Sequence, residues 1–223
     1  MCHVSCILYV AENIERNEIE GKDVIEVGSY DVNGSVRSIV GLLNPKKYIG
    51  VDIKDGPGVD FVCDASSLVD KFGKESFDVV ISTELMEHVR DWKTVISNIK
   101  KICKPEGTII ITTRSRGFHF HAYPYDFWRY EKEDMQKIFS DFKIFSLKDD
   151  PEASGVFVKM RKENSFIEND LKDISLFSMI VGKRISSIQD SDFKSCYLKK
   201  LIFKEKLENF VRSILRFFYS FLK

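Results

Sequence analysis

Short β-branched runs alternate along this chain with stretches of helical periodicity, and that alternation narrows the possible folds more than any other feature. A parallel neighbour can be reached only through a crossover, and crossover helices cover both faces of the sheet they serve. Strands are expected at 23–27, 48–52, 61–62, 77–81 and 108–112, with helices at 7–20, 34–42, 66–72, 89–103 and 132–139. Residues 104–107 (Lys104-Pro105-Glu106-Gly107) read as a turn. The last two strands, 142–147 and 156–160, are joined by a polar turn containing Pro151 and Gly155. That link has no room for a helix, so the two strands are expected to pair antiparallel at an edge. The expected class is α/β, a mostly parallel sheet with helices on both faces.

Composition excludes several classes. Hydrophobic residues make up 43% of the 223, which suits a packed core. The 34 basic and 34 acidic residues cancel, which argues against general nucleic-acid binding. No apolar run approaches the roughly 18–20 residues of a spanning helix, and the start MCHVSCILYVAEN lacks the basic flank of a signal peptide. Five cysteines, an odd number, do not form a disulfide framework, so a cytoplasmic protein with reduced thiols is expected. Cys2, His3 and Cys6 offer three soft ligands close together. A structural zinc site wants four, usually as two separated pairs, and no second pair is evident, so no metal is expected.

In open parallel sheets, ligands bind beyond the carboxyl ends of the strands. After the first strand comes Glu26-Val27-Gly28-Ser29-Tyr30-Asp31-Val32-Asn33-Gly34. Its glycines lie six apart, not in the tight triplet that lets a backbone approach a pyrophosphate, which disfavours a nicotinamide-dependent dehydrogenase. The loop instead carries Glu26 and Asp31, which suit a cation. Buried without partners, Glu26 would be costly in an apolar strand, which favours a functional role. Asp52 ends the second strand, placed to accept from the two hydroxyls of a ribose. Asp64 and Ala65 follow the third, where a carboxylate can accept from an adenine amino group. Adenine, ribose, no phosphate and a positive charge together describe S-adenosylmethionine.

The segment from Val24 to about Phe139 resembles a class I S-adenosylmethionine-dependent methyltransferase, of the type 11-like kind. The resemblance rests on ordered blocks: Val24-Ile25-Glu26-Val27-Gly28, Tyr48-Ile49-Gly50-Val51-Asp52, Phe61-Val62-Cys63-Asp64-Ala65, the run from Phe77 to Val89 containing Glu84-Leu85-Met86-Glu87-His88, and Ile102-Cys103-Lys104-Pro105-Glu106-Gly107-Thr108. It implies a Rossmann-like seven-stranded sheet with one reversed strand, in agreement with the edge hairpin. It also implies roles. Glu26, Gly28, Ser29 and Gly34 belong to the methionine-side loop, Asp52 holds the ribose, and Ile53 lies against adenine. Asp64 and Ala65 meet the adenine edge, Ser82, Thr83 and Glu84 lie beside the sulfonium, and His88 follows at a helix start. The family usually has a second glycine two residues after the first. Tyr30 stands there, so the loop 29–33 must take another path.

The stretch 112–130 is dense in aromatic and histidine side chains and follows the fifth strand on the ligand side. It reads as a substrate wall or as an aromatic loop packed on itself. A hydroxyl acceptor needs a base with a pKa near the working pH, which suits His119 and His121, with Asp126 or Tyr123 as orienting partners. Small-molecule, glycan and lipid-linked acceptors all remain open, as does a protein that binds the cofactor without catalysis. Residues 194–223 carry eight basic side chains against two acidic ones, a charge of +6 that leaves −6 on the rest. From Leu198, apolar residues at Leu201, Leu207, Val211, Ile214, Phe218 and Phe221, broadened by Phe203, Phe210, Phe217 and Leu222, form one helical stripe. Such a helix either docks on protein, including a second copy, or lies on anionic lipid at a membrane periphery. The chain therefore divides into a methyltransferase domain over 1–165, a connecting segment over 166–197 and an amphipathic basic helix over 198–223.

Overall fold

The computed structural model describes residues 3–121 and 124–220. Strands β1 (Asp23–Val27), β2 (Lys47–Asp52), β3 (Phe61–Val62), β4 (Phe77–Thr83), β5 (Cys103–Arg114), β7 (Lys143–Asp149) and β8 (Gly155–Arg161) form one sheet in the order β3-β2-β1-β4-β5-β8-β7. The first five run parallel; β8 runs against both β5 and β7 and lies between them, so β7 is the outer strand. Residues alternate between the faces as the pleat requires. Ile25, Val27, Val80, Ile109 and Ile111 enter one core, and Val24, Val79, Ile81 and Ile110 the other.

The second core lies under α1 (Val4–Asn13), α2 (Arg16–Ile19) and α3 (Arg37–Gly41), through Cys6, Tyr9, Val10, Ile19, Val36 and Val40. The single helix expected over 7–20 is two helices. Ile14 is extended, and Glu15 opens a capping box with Glu18 that starts a new turn. The first core is covered by α4 (Leu68–Phe72), α5 (Trp92–Ile102) and α6 (Lys132–Ile138). The helix expected from residue 89 begins at Trp92, because the Asp91 side chain accepts from the Thr94 N–H and caps it. Between β4 and α5, Met86–His88 form a separate 3₁₀ turn. Residues 104–107, expected as a turn, belong instead to β5, which starts at Cys103; they interrupt the β4–β5 register, with Glu106 left-handed at φ 60°.

Strands β6 (Trp128–Arg129), β9 (Leu176–Ser178) and β10 (Arg184–Ile185) form a second small sheet. Leu171, Leu176, Ile180 and Ile188 of the 166–197 segment enter the first core, and the Met179 N–H donates to the Phe127 carbonyl at 2.8 Å. The loop after β5 is thus clamped from outside the main sheet. The chain ends on α7 (Cys196–Ser220), whose Leu198 is buried while Phe203, Leu207, Phe210, Val211 and Ile214 are exposed. No helix among the described residues is long and apolar enough to cross a membrane.

Candidate active site

The carboxyl ends of β1 to β4 open onto a cavity of about 700 Å³. Gly28 turns the chain out of β1 at φ 85°, and the N–H groups of Gly28 and Ser29 both donate to the Val51 carbonyl. A Cβ on Gly28 would lie 3.0 Å from Leu85, so the position combines a left-handed turn with close packing. The loop does take its own path around Tyr30. Room for that ring comes from the loop after β2, where a Cβ on Gly56 would stand 2.2 Å from it. The Asp31 N–H donates to the Pro57 carbonyl at 2.8 Å, and the Asp31 carboxylate accepts from the Gly34 N–H at 2.7 Å. Asp31 therefore ties the loop down instead of lining the cavity, which leaves Glu26 as the loop's acid there.

Glu26 is buried, and the Tyr48 hydroxyl donates to it at 2.7 Å. Burial raises its carboxyl to about 7, against the pull of Tyr48 and the nearby Arg37 charge. A carboxyl raised from 4.5 to about 7 holds a proton in the folded protein that the unfolded chain has already released. Stability from this group is present below pH 4.5 and is lost as pH rises toward 7, by about 3 kcal/mol across that window. The difference in unfolding free energy between Glu26→Gln and the parent should therefore drift in the variant's favour from pH 5 to 7. A difference independent of pH would show that Glu26 is ionised throughout.

Asp52 stands half-buried at the cavity, accepting from the N–H groups of Lys54 at 3.1 Å and Tyr30 at 3.4 Å. Ile53 is an exposed apolar ledge beside it. One oxygen of Asp64 accepts from the Ser66 N–H at 2.8 Å, with Ala65 buried below. Gly34, Thr83, Glu84 and His88 also reach the cavity wall. Ser82 does not line the cavity; it is fully buried and its hydroxyl has no hydrogen-bond partner among the described residues. The alternation of β4 turns it inward when Thr83 points out.

At the end of β4, Glu84 is left-handed at φ 55°, a strained conformation for a residue with a Cβ. A buried network holds it. Its carboxylate pairs with Arg114 Nε and accepts from the Thr112 hydroxyl at 3.2 Å. Arg114 donates in turn to Asp150 at 2.9 Å. Burial and the adjacent Glu87 charge push the Glu84 carboxyl up, against the pull of Arg114. The role of Arg114 and Asp150 was not legible in the sequence; the one available signal was a guanidinium closing a strand whose centre is Ile109-Ile110-Ile111.

The loop after β5 is organised by Asp126. This carboxylate is fully buried and takes Nη1 and Nη2 of Arg129, the His121 backbone N–H at 2.9 Å and His121 Nδ1 at 3.2 Å. Burial alone would raise it, but Arg129 and His121 bring it down to about 2. His121 is thus fixed by Asp126, and its ring lies 4.8 Å from that of His88. His88 Nδ1 is 2.6 Å from the Tyr125 carbonyl oxygen, to which it donates. His119 is exposed and stacked on Phe118 at 4.4 Å; burial and the charges of His121 and Arg129 lower its pKa. His119, His121 and Asp126 stand behind the cavity wall, which their loop reaches through Pro124, Tyr125 and Phe127. Tyr123 and Cys2 lie outside the described residues.

Comparison with known proteins gives consistent results. A family model described as a methyltransferase domain matches residues 7–156. A ubiquinone biosynthesis O-methyltransferase of Vibrio atlanticus (strain LGP32) is 28% identical over 127 residues, covering 52% of this chain and 52% of that one. A ubiquinone biosynthesis O-methyltransferase of Parvibaculum lavamentivorans is 30% identical over 70 residues, 31% of this chain and 27% of that one. The matches span about half the length of these curated relatives, or less. Among solved structures, 1,6-didemethyltoxoflavin-N1-methyltransferase of Burkholderia thailandensis, with S-adenosylhomocysteine bound, superposes with a TM-score of 0.56 at 12% identity. It covers 71% of this chain and 79% of that one. A complex of the Haloferax volcanii Trm112 methyltransferase activator with a methyltransferase gives 0.60 at 14% identity, covering 74% and 92%.

Proposed function

The chain belongs to the methyltransferase-domain family, with the class I S-adenosylmethionine-dependent fold, and from that premise we propose that it transfers a methyl group to a hydroxyl of a small-molecule acceptor. The observation that carries this reading is the cavity's donor set. Asp52 keeps acceptor capacity for two vicinal hydroxyls, and Asp64 keeps one oxygen for an amino group. The buried Ser29 hydroxyl on the wall lacks a partner among the described residues, and the β1 loop holds no basic side chain to meet a phosphate. These residues fit S-adenosylmethionine, which when bound supplies a methyl group on a sulfonium. The O-methyltransferase relatives support a hydroxyl acceptor, and the apolar side chains of Leu85, Val89, Phe127 and Phe193 on the wall support a small, partly apolar one.

The protein's own contribution is placement. Thr83 and Glu84 border the reacting end, and the apolar wall keeps water out. The Tyr125 carbonyl fixes Nδ1 of His88, which lines the cavity, leaving its Nε2 to meet the acceptor's hydroxyl or its proton, while Asp126 fixes His121 behind the wall. Label from methyl-labelled S-adenosylmethionine should pass to a low-molecular-weight compound in a cell extract, and S-adenosylhomocysteine should bind in calorimetry. Binding without transfer would make the protein a non-catalytic cofactor binder.

Within the same proposal, α7 rests on an anionic lipid surface and keeps the enzyme beside lipid-soluble acceptors. The exposed Phe203, Leu207, Phe210, Val211 and Ile214, with Lys199, Lys200, Lys204, Lys206 and Arg212 around them, support this. Phe217 and Phe218 lie outside the described side chains, and Phe221 and Leu222 outside the described residues. The protein should co-sediment with phosphatidylserine vesicles, less so as salt rises, and removal of residues 199–223 should abolish this. A salt-independent dimer that the truncation dissociates would assign α7 to a second copy instead.

A further inference from the structure

Glu87 lies in the 3₁₀ turn Met86–His88 and is fully buried. Its Oε2 accepts from the Thr113 hydroxyl at 2.9 Å. Among the described residues its Oε1 has no hydrogen-bond partner, and the nearest basic atom, His88 Nε2, is 3.8 Å away. A buried carboxylate oxygen without a partner is costly. This one is aimed at two imidazoles. One ligand-capable atom each from Glu87, His88 and His121 lies within 4.8 Å of the others.

All three groups are braced from behind. His88 donates through Nδ1 to the Tyr125 carbonyl, His121 faces Asp126 through Nδ1, and Glu87 takes the Thr113 hydroxyl. Imidazoles held through one nitrogen by a carbonyl or carboxylate are the usual outer arrangement of metal-binding histidines. Glu84 does not compete, because its carboxylate is already paired with Arg114.

We propose that Glu87, His88 and His121 form a site for a divalent first-row transition-metal ion, with Zn²⁺ as the leading candidate, beside the cavity that His88 lines. Two imidazoles and one carboxylate are a donor set used by zinc and by non-haem Fe(II). Around an ion at about 2.1 Å, tetrahedral ligand atoms stand roughly 3.4 Å apart. Small rotations of the two rings close the present spacing. The ion would hold an oxygen of the acceptor; that role rests on the methyltransferase reading, whereas ion binding does not.

The test uses the full-length protein, stripped with a chelator and titrated with Co²⁺ as a spectroscopic substitute for Zn²⁺. One Co²⁺ per chain is expected, with the visible bands of a low-coordinate ion, and Zn²⁺ should displace it. His121→Ala and Glu87→Gln should each weaken binding at least tenfold and remove the bands, while Cys196→Ser, at an exposed thiol, leaves them. Where Glu87→Gln does not fold, His121→Ala decides alone, since His121 sits on a surface loop. Bands unchanged in His121→Ala overturn the site. S-adenosylhomocysteine calorimetry on the same samples separates the two readings. Protein that binds S-adenosylhomocysteine but shows no Co²⁺ bands lacks the metal site and keeps the methyltransferase function. Protein with the bands but no S-adenosylhomocysteine binding keeps the metal site and loses that function.

Discussion

Arg114→Leu should lower the stability of this protein by about 3–5 kcal/mol, the usual result of removing one partner from a buried ion network. Arg114 is fully buried at the end of β5. It pairs with Glu84 and Asp150, and its guanidinium lies 4.3 Å from the Phe118 ring centre. Leucine would leave two carboxylates facing each other without a cation, and Glu84 would lose the contact that holds its left-handed backbone. In a chain of this length each kcal/mol shifts the unfolding temperature by about 2–4 °C, so calorimetry should read a fall of about ten degrees. Replacing all three charges together, Arg114→Met with Glu84→Gln and Asp150→Asn, should recover much of the loss, because no unpaired charge then remains. An Arg114→Leu protein that melts within two degrees of the parent would show that the carboxylates are already neutral and the network holds nothing.

The second large effect is on affinity. Asp52→Ala should weaken S-adenosylhomocysteine binding about ten- to a hundredfold, corresponding to roughly 1.5–3 kcal/mol for a charged hydrogen-bond acceptor. The side chain is half-buried at a strand end and, among the described residues, bonds only to loop N–H groups of Tyr30 and Lys54, so the fold should survive. Titration calorimetry on a variant with a native melting profile measures the change. Unchanged affinity would remove Asp52 from the cofactor site.

The parts of the molecule that were legible in the sequence are those set by neighbours along the chain. β1, β2 and β4 are short β-branched runs bounded by glycine, proline or acids, and the residues leaving them (Glu26, Gly28, Asp52 and Thr83) fall at the cavity because parallel strands all deliver their carboxyl ends to one side. Asp64 and His88 follow from the same rule applied to β3 and β4. The hairpin of β7 and β8 was legible from the absence of a helix between them. Helix boundaries were less so. Capping by Glu15 and Asp91 depends on which rotamer a side chain adopts, and periodicity does not register it.

Sequence by itself determined the layered α/β architecture and the strand ends from which ligand residues project, because periodicity and strand length are local properties. Only the tertiary structure decided the rest of the site. Sheet order set Arg114 between Glu84, just past the end of the neighbouring strand β4, and Asp150 beyond the β7 end. The small sheet of β6, β9 and β10 joins strands of two or three residues across some fifty positions, too short to signal themselves, yet it clamps the loop carrying His121 and Asp126. The 3₁₀ turn Met86–His88 ahead of α5 brought Glu87 and His88 close to His121 of that loop. Each of these is a contact between groups distant in sequence, and burial and charge pairing act on distance in space, which the chain acquires only on folding.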